Sequence, residues 1–172
     1  MNFIDLLNKL KEKAINGGGI STSDAVNLYK IGTEKPFLLM AFANEIKEHF
    51  KGKKINLCGI VNAKSGSCPE NCKFCAQSSH YDTGVVRYPL ISAKEIIAKA
   101  ISSKNEGAHM FGIVTSGTKI RTKKEWNEIY KAIEGINEIG IKPCASLGIL
   151  TKEEALNLKK AGLFRYHHNL ET

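Results

Sequence analysis

Residues 55–79 read INLCGIVNAKSGSCPENCKFCAQSS, and the character of the chain changes inside that stretch. Residues 55–62 are a short apolar run following Gly52, the pattern of a buried β-strand. The remainder carries Cys68, Cys72 and Cys75 in a C-x₃-C-x₂-C spacing. Three thiolates on one loop can hold three irons of a 4Fe–4S cluster and leave one iron open, whereas a cluster used only for electron transfer normally takes a fourth cysteine. The alternative is structural zinc, with Cys58 or His80 as the fourth ligand. Zinc sites usually set their ligands as two separated pairs, and no second pair follows here. A disulfide framework fits worse, because five cysteines is an odd count in a chain without a secretory signal.

Downstream, apolar runs recur at residues 109–115, 141–149 and 164–170, and each is expected to be a strand. Helix-start signals stand between the runs: Ser92 with Glu95, Thr122 with Glu125, and Thr151 with Glu154 each fit a capping box. Gly107, Gly140 and Gly162 fall where those helices should end. Strand and helix thus alternate, which argues for α/β architecture with a parallel sheet, either open and doubly wound or part of a barrel. Residues 63–91 fit neither pattern, and a connection that long is usually functional. In a barrel, functional groups gather at the C-terminal ends of the strands, and this loop leaves the C-terminal end of the first.

Upstream, residues 1–52 are expected to form a helical extension to the domain at 53–172. Phe3, Ile4, Leu6, Leu7 and Leu10 make one helical stripe, ended by Gly17-Gly18-Gly19; a second helix starts near Ser21 to Asp24, and Pro36 opens a third. The net charge of +8 comes from scattered lysines. No sequence cluster of basic residues with interleaved aromatics marks a nucleic-acid binder. The longest apolar run, Phe37 to Ala43, is too short to span a bilayer, and the N-terminus is unlike a signal peptide. A cytoplasmic protein with reduced thiols is expected. A complete (β/α)₈ barrel needs about 250 residues, so 172 cannot close one, and the chain reads as a fragment with about four of the strands.

The stretch NAKSGSCPENCKFCAQSSHYDTG resembles the cluster loop of the biotin synthase family of radical-SAM enzymes. CASLGILTKEEALNLKKAGLFRYHHNLET is similar to that family's third and fourth strand region, and HMFGIVTSG sits where its second strand should be. The resemblance covers roughly residues 20 to 172. It implies the N-terminal half of a radical-SAM (β/α)₈ barrel, preceded by helices. The implied reaction inserts sulfur into dethiobiotin to form biotin through a 5′-deoxyadenosyl radical. Implied cofactors are a 4Fe–4S cluster, S-adenosylmethionine and an auxiliary iron–sulfur cluster, 2Fe–2S in the common form. Implied partners are dethiobiotin, an electron donor such as flavodoxin or ferredoxin, and a second copy in a homodimer of the full-length form.

By the same resemblance, Cys68, Cys72 and Cys75 match the radical-SAM cluster ligands, Phe74 the aromatic beside the adenine, and Cys144 an auxiliary-cluster ligand on the third strand. Ser116 and Gly117 match the region that holds the methionine amine. On the fourth strand, His167, Asn169 and Glu171 alternate and would point inward together, toward dethiobiotin and the S-adenosylmethionine ribose. His168 is expected to have a packing or surface role, and Trp126 with Tyr130 to pack in the core. One departure stands out: the family's second-strand cysteine is replaced by Gly112, while Cys58 appears on the first strand. Either the auxiliary ligand has moved to Cys58, or Cys58 is a small buried apolar residue. Two further readings remain open: a non-catalytic half-barrel that binds only cluster and cosubstrate, and a radical-SAM enzyme with another substrate.

Overall fold

A computed structural model describes residues 2–169. The chain forms two compact units, Met1–Ile55 and Asn56–Thr172.

The first unit is three helices: α1 (Phe3–Ile15), α2 (Thr22–Glu34) and α3 (Pro36–Lys51). Asn2 caps α1 by accepting from the Asp5 N–H, and Leu7 and Leu10 of the expected stripe are buried. Ser21 and Asp24 cap α2 reciprocally, and Pro36 occupies the first turn of α3, where its missing N–H costs nothing. Lys11 reaches from α1 to Glu45 of α3 at 2.7 Å.

The second unit alternates: β1 (Cys58–Lys64), α4 (Ala93–Asn105), β2 (Met110–Thr115), α5 (Lys123–Glu138), β3 (Lys142–Ser146), α6 (Lys152–Lys160) and β4 (Arg165–Tyr166). All strand pairs are parallel, in the order β1-β2-β3-β4. A doubly wound sheet reverses its order partway; this one does not, so successive right-handed crossovers lay every helix on the same face, as in a barrel wall. That face carries Val61, Ala63, Phe111, Ile113, Ala145 and Leu147, packed against Ile96, Ile129, Ile133, Ile136 and Leu158 of the helices. Trp126 and Tyr130 stack at 5.4 Å and pack against this core. The opposite face of β1, with Cys58, Ile60 and Asn62, is exposed.

All three expected capping boxes form: Ser92–Glu95, Thr122–Glu125 and Thr151–Glu154. The strands are shorter or shifted. β1 starts at Cys58 rather than 55 because its neighbour begins at Met110, and it runs on to Lys64, which pairs with Thr115 across a bulge. β3 ends at Ser146 rather than 149. Gly148 stands at φ +83°, so close to the Thr118 carbonyl that a Cβ would sit 2.1 Å from its oxygen, and this left-handed turn stops the strand. β4 is confined to Arg165–Tyr166 within the expected 164–170, with one further rung where the His167 N–H donates to the Ala145 carbonyl. Leu170 and Glu171 lie outside the described residues.

Candidate metal centre

The cysteine loop leaves the C-terminal end of β1 and returns at α4. Its backbone is pinned at several points. Cys68 donates its N–H to the Gln77 carbonyl and accepts from the Ser79 N–H, so the first cysteine is clamped between the ends of the turn. Within the turn the Cys75 N–H donates to the Cys72 carbonyl at 3.0 Å, and the Ser78 N–H to that of Cys75. Side chains complete the frame: Gln77 Oε1 accepts from Ser65 Oγ and the Gly66 N–H, and Ser78 Oγ donates to the Glu70 carbonyl. Tyr88 donates its hydroxyl to the Asn62 carbonyl, and Thr118 donates to the Glu70 carboxylate from the β2 side. These bonds fix the path of a loop that has little regular secondary structure.

Cys68, Cys72 and Cys75 are all half-buried. Among the described residues no three His, Cys, Asp or Glu side chains converge on a point that could hold a single metal ion. One tetrahedral zinc requires its thiolates to meet about 2.3 Å from a common centre, whereas a four-iron cluster takes one thiolate per iron and keeps them apart. Three thiolates on one short turn are the donor chemistry of such a cluster. His80 is used elsewhere: its ring Nε2 lies 3.0 Å from the Pro69 carbonyl, and its N–H donates to Ser78 Oγ. Phe74 is 68% exposed, an aromatic surface presented beside Cys75.

Ser116, the residue after β2, is buried, and its hydroxyl donates to the Gly66 carbonyl at 2.7 Å while its N–H donates to the Lys64 carbonyl. Those bonds tie the second strand to the root of the cysteine loop. Gly117 follows at φ +100°. Below the loop, strand register sets the open face: Ile60, Gly112, Cys144 and Arg165 stand in one row across the four strands. Cys58 lies two residues before Ile60 and so shares that face. Cys144 is 2% exposed, and burial, followed by the nearby Cys58 sulfur, pushes its thiol up, with Arg165 opposing. Cys58 is exposed on that open face. His167 and Asn169, expected to point inward on the fourth strand, lie past the end of β4 and are exposed, as is His168. Glu171 lies outside the described residues.

The supporting shell of Gln77, Ser78, Tyr88 and Thr118 was not singled out by sequence reasoning, and nothing in their spacing marks them.

A parallel barrel wall with three cysteines on the loop after its first strand defines a class. The family model described as the radical SAM superfamily matches residues 64–172, and the chain belongs to that superfamily. Within it, the chain is similar to biotin synthases. It is 48% identical to that of Clostridioides difficile (strain 630) over 95% of this chain and 51% of the relative. It is 46% identical to that of Clostridium botulinum (strain Alaska E43 / Type E3), covering 100% of this chain and 52% of the relative. The chain thus spans about half the length of the curated relatives it matches. Among solved structures, it superposes on HydG, a maturase of the FeFe-hydrogenase, with TM-score 0.69 at 18% identity, over 95% of this chain and 37% of that one. HydG from Carboxydothermus hydrogenoformans gives 0.68 at 21% identity. At those identities the likeness speaks for the fold.

Proposed function

We propose that this chain is the cluster-bearing part of a biotin synthase-type enzyme, acting on dethiobiotin with S-adenosylmethionine and a 4Fe–4S cluster. The observation that carries the reading is the clamped, half-buried Cys68–Cys72–Cys75 turn at the C-terminal end of β1, in a chain 48% identical to a biotin synthase. Cys68, Cys72 and Cys75 would hold three irons, and the fourth would take the amino-carboxylate end of the cosubstrate. When bound, the cluster supplies the single electron that cleaves a sulfonium carbon–sulfur bond.

The chain's own residues have separate tasks. The turn presents three thiolates at fixed spacing and covers them on the protein side. Phe74 offers a face for the adenine, and the β2 end at Ser116 and Gly117 lies beside the loop root for the methionine moiety. His167 and Asn169 would meet the substrate and ribose, together with Glu171. Cys144, with Cys58, would hold the auxiliary cluster that donates sulfur. The electron donor is a flavodoxin or ferredoxin, the enzyme works in the cytoplasm, and its full-length form pairs as a homodimer. Among the described residues no helix is long and apolar enough to cross a membrane.

The test is reductive cleavage. After anaerobic loading with iron and sulfide, the chain given S-adenosylmethionine and a reductant should release 5′-deoxyadenosine and methionine. Four strands supply only half the wall of a barrel, so biotin should form from dethiobiotin only when the remaining wall is present. A fully loaded cluster that releases no 5′-deoxyadenosine, or biotin made by the 172-residue chain alone, would contradict this account.

A further inference from the structure

Glu70 stands midway between two of the three cysteines, two residues after Cys68 and two before Cys72. Each residue joining those cysteines is bonded to a later part of the same loop. The Pro69 carbonyl lies 3.0 Å from His80 Nε2, the Glu70 carbonyl accepts from Ser78 Oγ, and Asn71 Oδ1 accepts from the Tyr81 hydroxyl. The Glu70 carboxylate reaches further. Its Oε1 accepts from Thr118 Oγ1 at 2.9 Å, across 48 residues of chain, from the turn between β2 and α5.

That turn is itself anchored. The Thr118 carbonyl accepts from the Ile149 N–H at 2.8 Å, and Lys119 bridges to Gly148, so the turn after β3 holds it. Two side-chain bonds then join it to the cysteine loop: Ser116 donates to the Gly66 carbonyl and Thr118 to the Glu70 carboxylate. Cys68 lies midway between Gly66 and Glu70, and Gly117 midway between Ser116 and Thr118, so the two bonds bracket both residues. A Cβ built at Gly117 would meet no described atom within 4 Å apart from its chain neighbours, which leaves the space over its backbone open.

We propose that Glu70 is a positioning residue: its bond to Thr118 holds Gly117 in place opposite Cys68, and so sets the open iron against the peptide that meets the methionine end of the cosubstrate. The inference rests on the cluster reading above. With the Ser116 bond alone the turn can pivot; a second bond two residues on removes that freedom. Ordering a site before its ligand arrives lowers the cost of binding. The three thiolates do not take part in the clasp, so its loss should appear in cosubstrate affinity and leave iron content unchanged. Only an acceptor is required at residue 70, which glutamine also supplies.

The test uses the 172-residue chain as wild type, Glu70→Ala, Thr118→Val, the Glu70→Ala/Thr118→Val double variant, Glu70→Gln, and Tyr81→Phe, which removes a bond inside the loop only. Calorimetric titration of the loaded protein with S-adenosylmethionine should show Kd raised at least about fivefold in Glu70→Ala and Thr118→Val, the loss expected for one hydrogen bond. The double variant should bind no more weakly than the weaker single variant, because both changes remove the same bond. Glu70→Gln and Tyr81→Phe should stay within about twofold of wild type, and all six forms should hold equal iron and sulfide. Hydrogen exchange over residues 116–119, measured without cluster, should be faster in Glu70→Ala, Thr118→Val and the double variant alone. A wild type that loads no cluster contradicts the cluster reading, and the exchange measurement then still decides the clasp. Wild-type affinity in Glu70→Ala, additive losses in the double variant, an equal loss in Tyr81→Phe, or exchange unchanged by Glu70→Ala would overturn the proposal.

Discussion

Cys58 and Cys144 share one face of the sheet on either side of β2, and the residue between them in the Cys144 row is Gly112. Strands one and three lie roughly 10 Å apart, twice the spacing of neighbouring strands. A residue without a side chain between two thiols leaves room on the face they share. A Cβ at Gly112 would come no nearer than 3.5 Å, to Ile60 Cγ1, so the position also accepts a larger residue.

Labelling should tell the two thiols apart. Cys58 is exposed, while Cys144 is buried with its thiol raised above the ordinary range, first by burial and then by the Cys58 sulfur. Maleimide should modify Cys58 at least tenfold faster than Cys144 at pH 7, and Cys144 should catch up only as the pH passes its raised value. Equal rates, read by mass spectrometry of the peptides, would place Cys144 outside the row described.

In a protein with the complete barrel wall, Cys58→Ser should lower auxiliary iron and leave the radical-SAM cluster intact, and Gly112→Cys should restore part of it. Iron and sulfide analysis reads both. Unchanged iron in Cys58→Ser would remove Cys58 from the auxiliary ligands.

Glu125 links β1 to α5 by accepting from Lys64 while capping Thr122. Burial pushes its carboxyl up, but the Lys64 ammonium and the Thr122 and Arg121 N–H groups outweigh that, and it titrates below its ordinary range. A depressed folded value means stability that is present above the unfolded carboxylate value, about 4.3, and lost as pH falls through the folded one. Glu125→Gln should cost about 1 kcal/mol at pH 7. The gap to wild type should close on acidification below about pH 4. A gap that persists unchanged to pH 3 in urea titrations would rule out the ion pair as its source.

Gly148→Ala should destabilise by at least about 2 kcal/mol, since it combines left-handed backbone with a Cβ 2.1 Å from the Thr118 oxygen. Denaturant midpoints check it, and a cost under about 0.5 kcal/mol would mean the turn relaxes freely.

The local parts of the fold were legible because their signals are local. Ser92, Thr122 and Thr151 each carry their acidic partner three residues on, and each box forms. Strand ends were not, because they depend on a partner: β1 begins where Met110 can pair with Cys58, and β3 stops where Gly148 meets the Thr118 carbonyl from another loop. The three cysteines announced their loop by spacing alone. The clamp around them did not, since Gln77 and Ser116 reach Gly66 across 11 and 50 residues of chain.

Anaerobic reconstitution with iron and sulfide, followed by metal analysis and Mössbauer spectroscopy of the wild type and Cys72→Ala, tests the central claim most directly. The wild type should take up four irons and four sulfides per chain as one 4Fe–4S cluster, as expected for three thiolates with an open fourth iron, and Cys72→Ala should lose it. Full occupancy in Cys72→Ala, or tightly bound zinc with no iron in the wild type, would contradict the account.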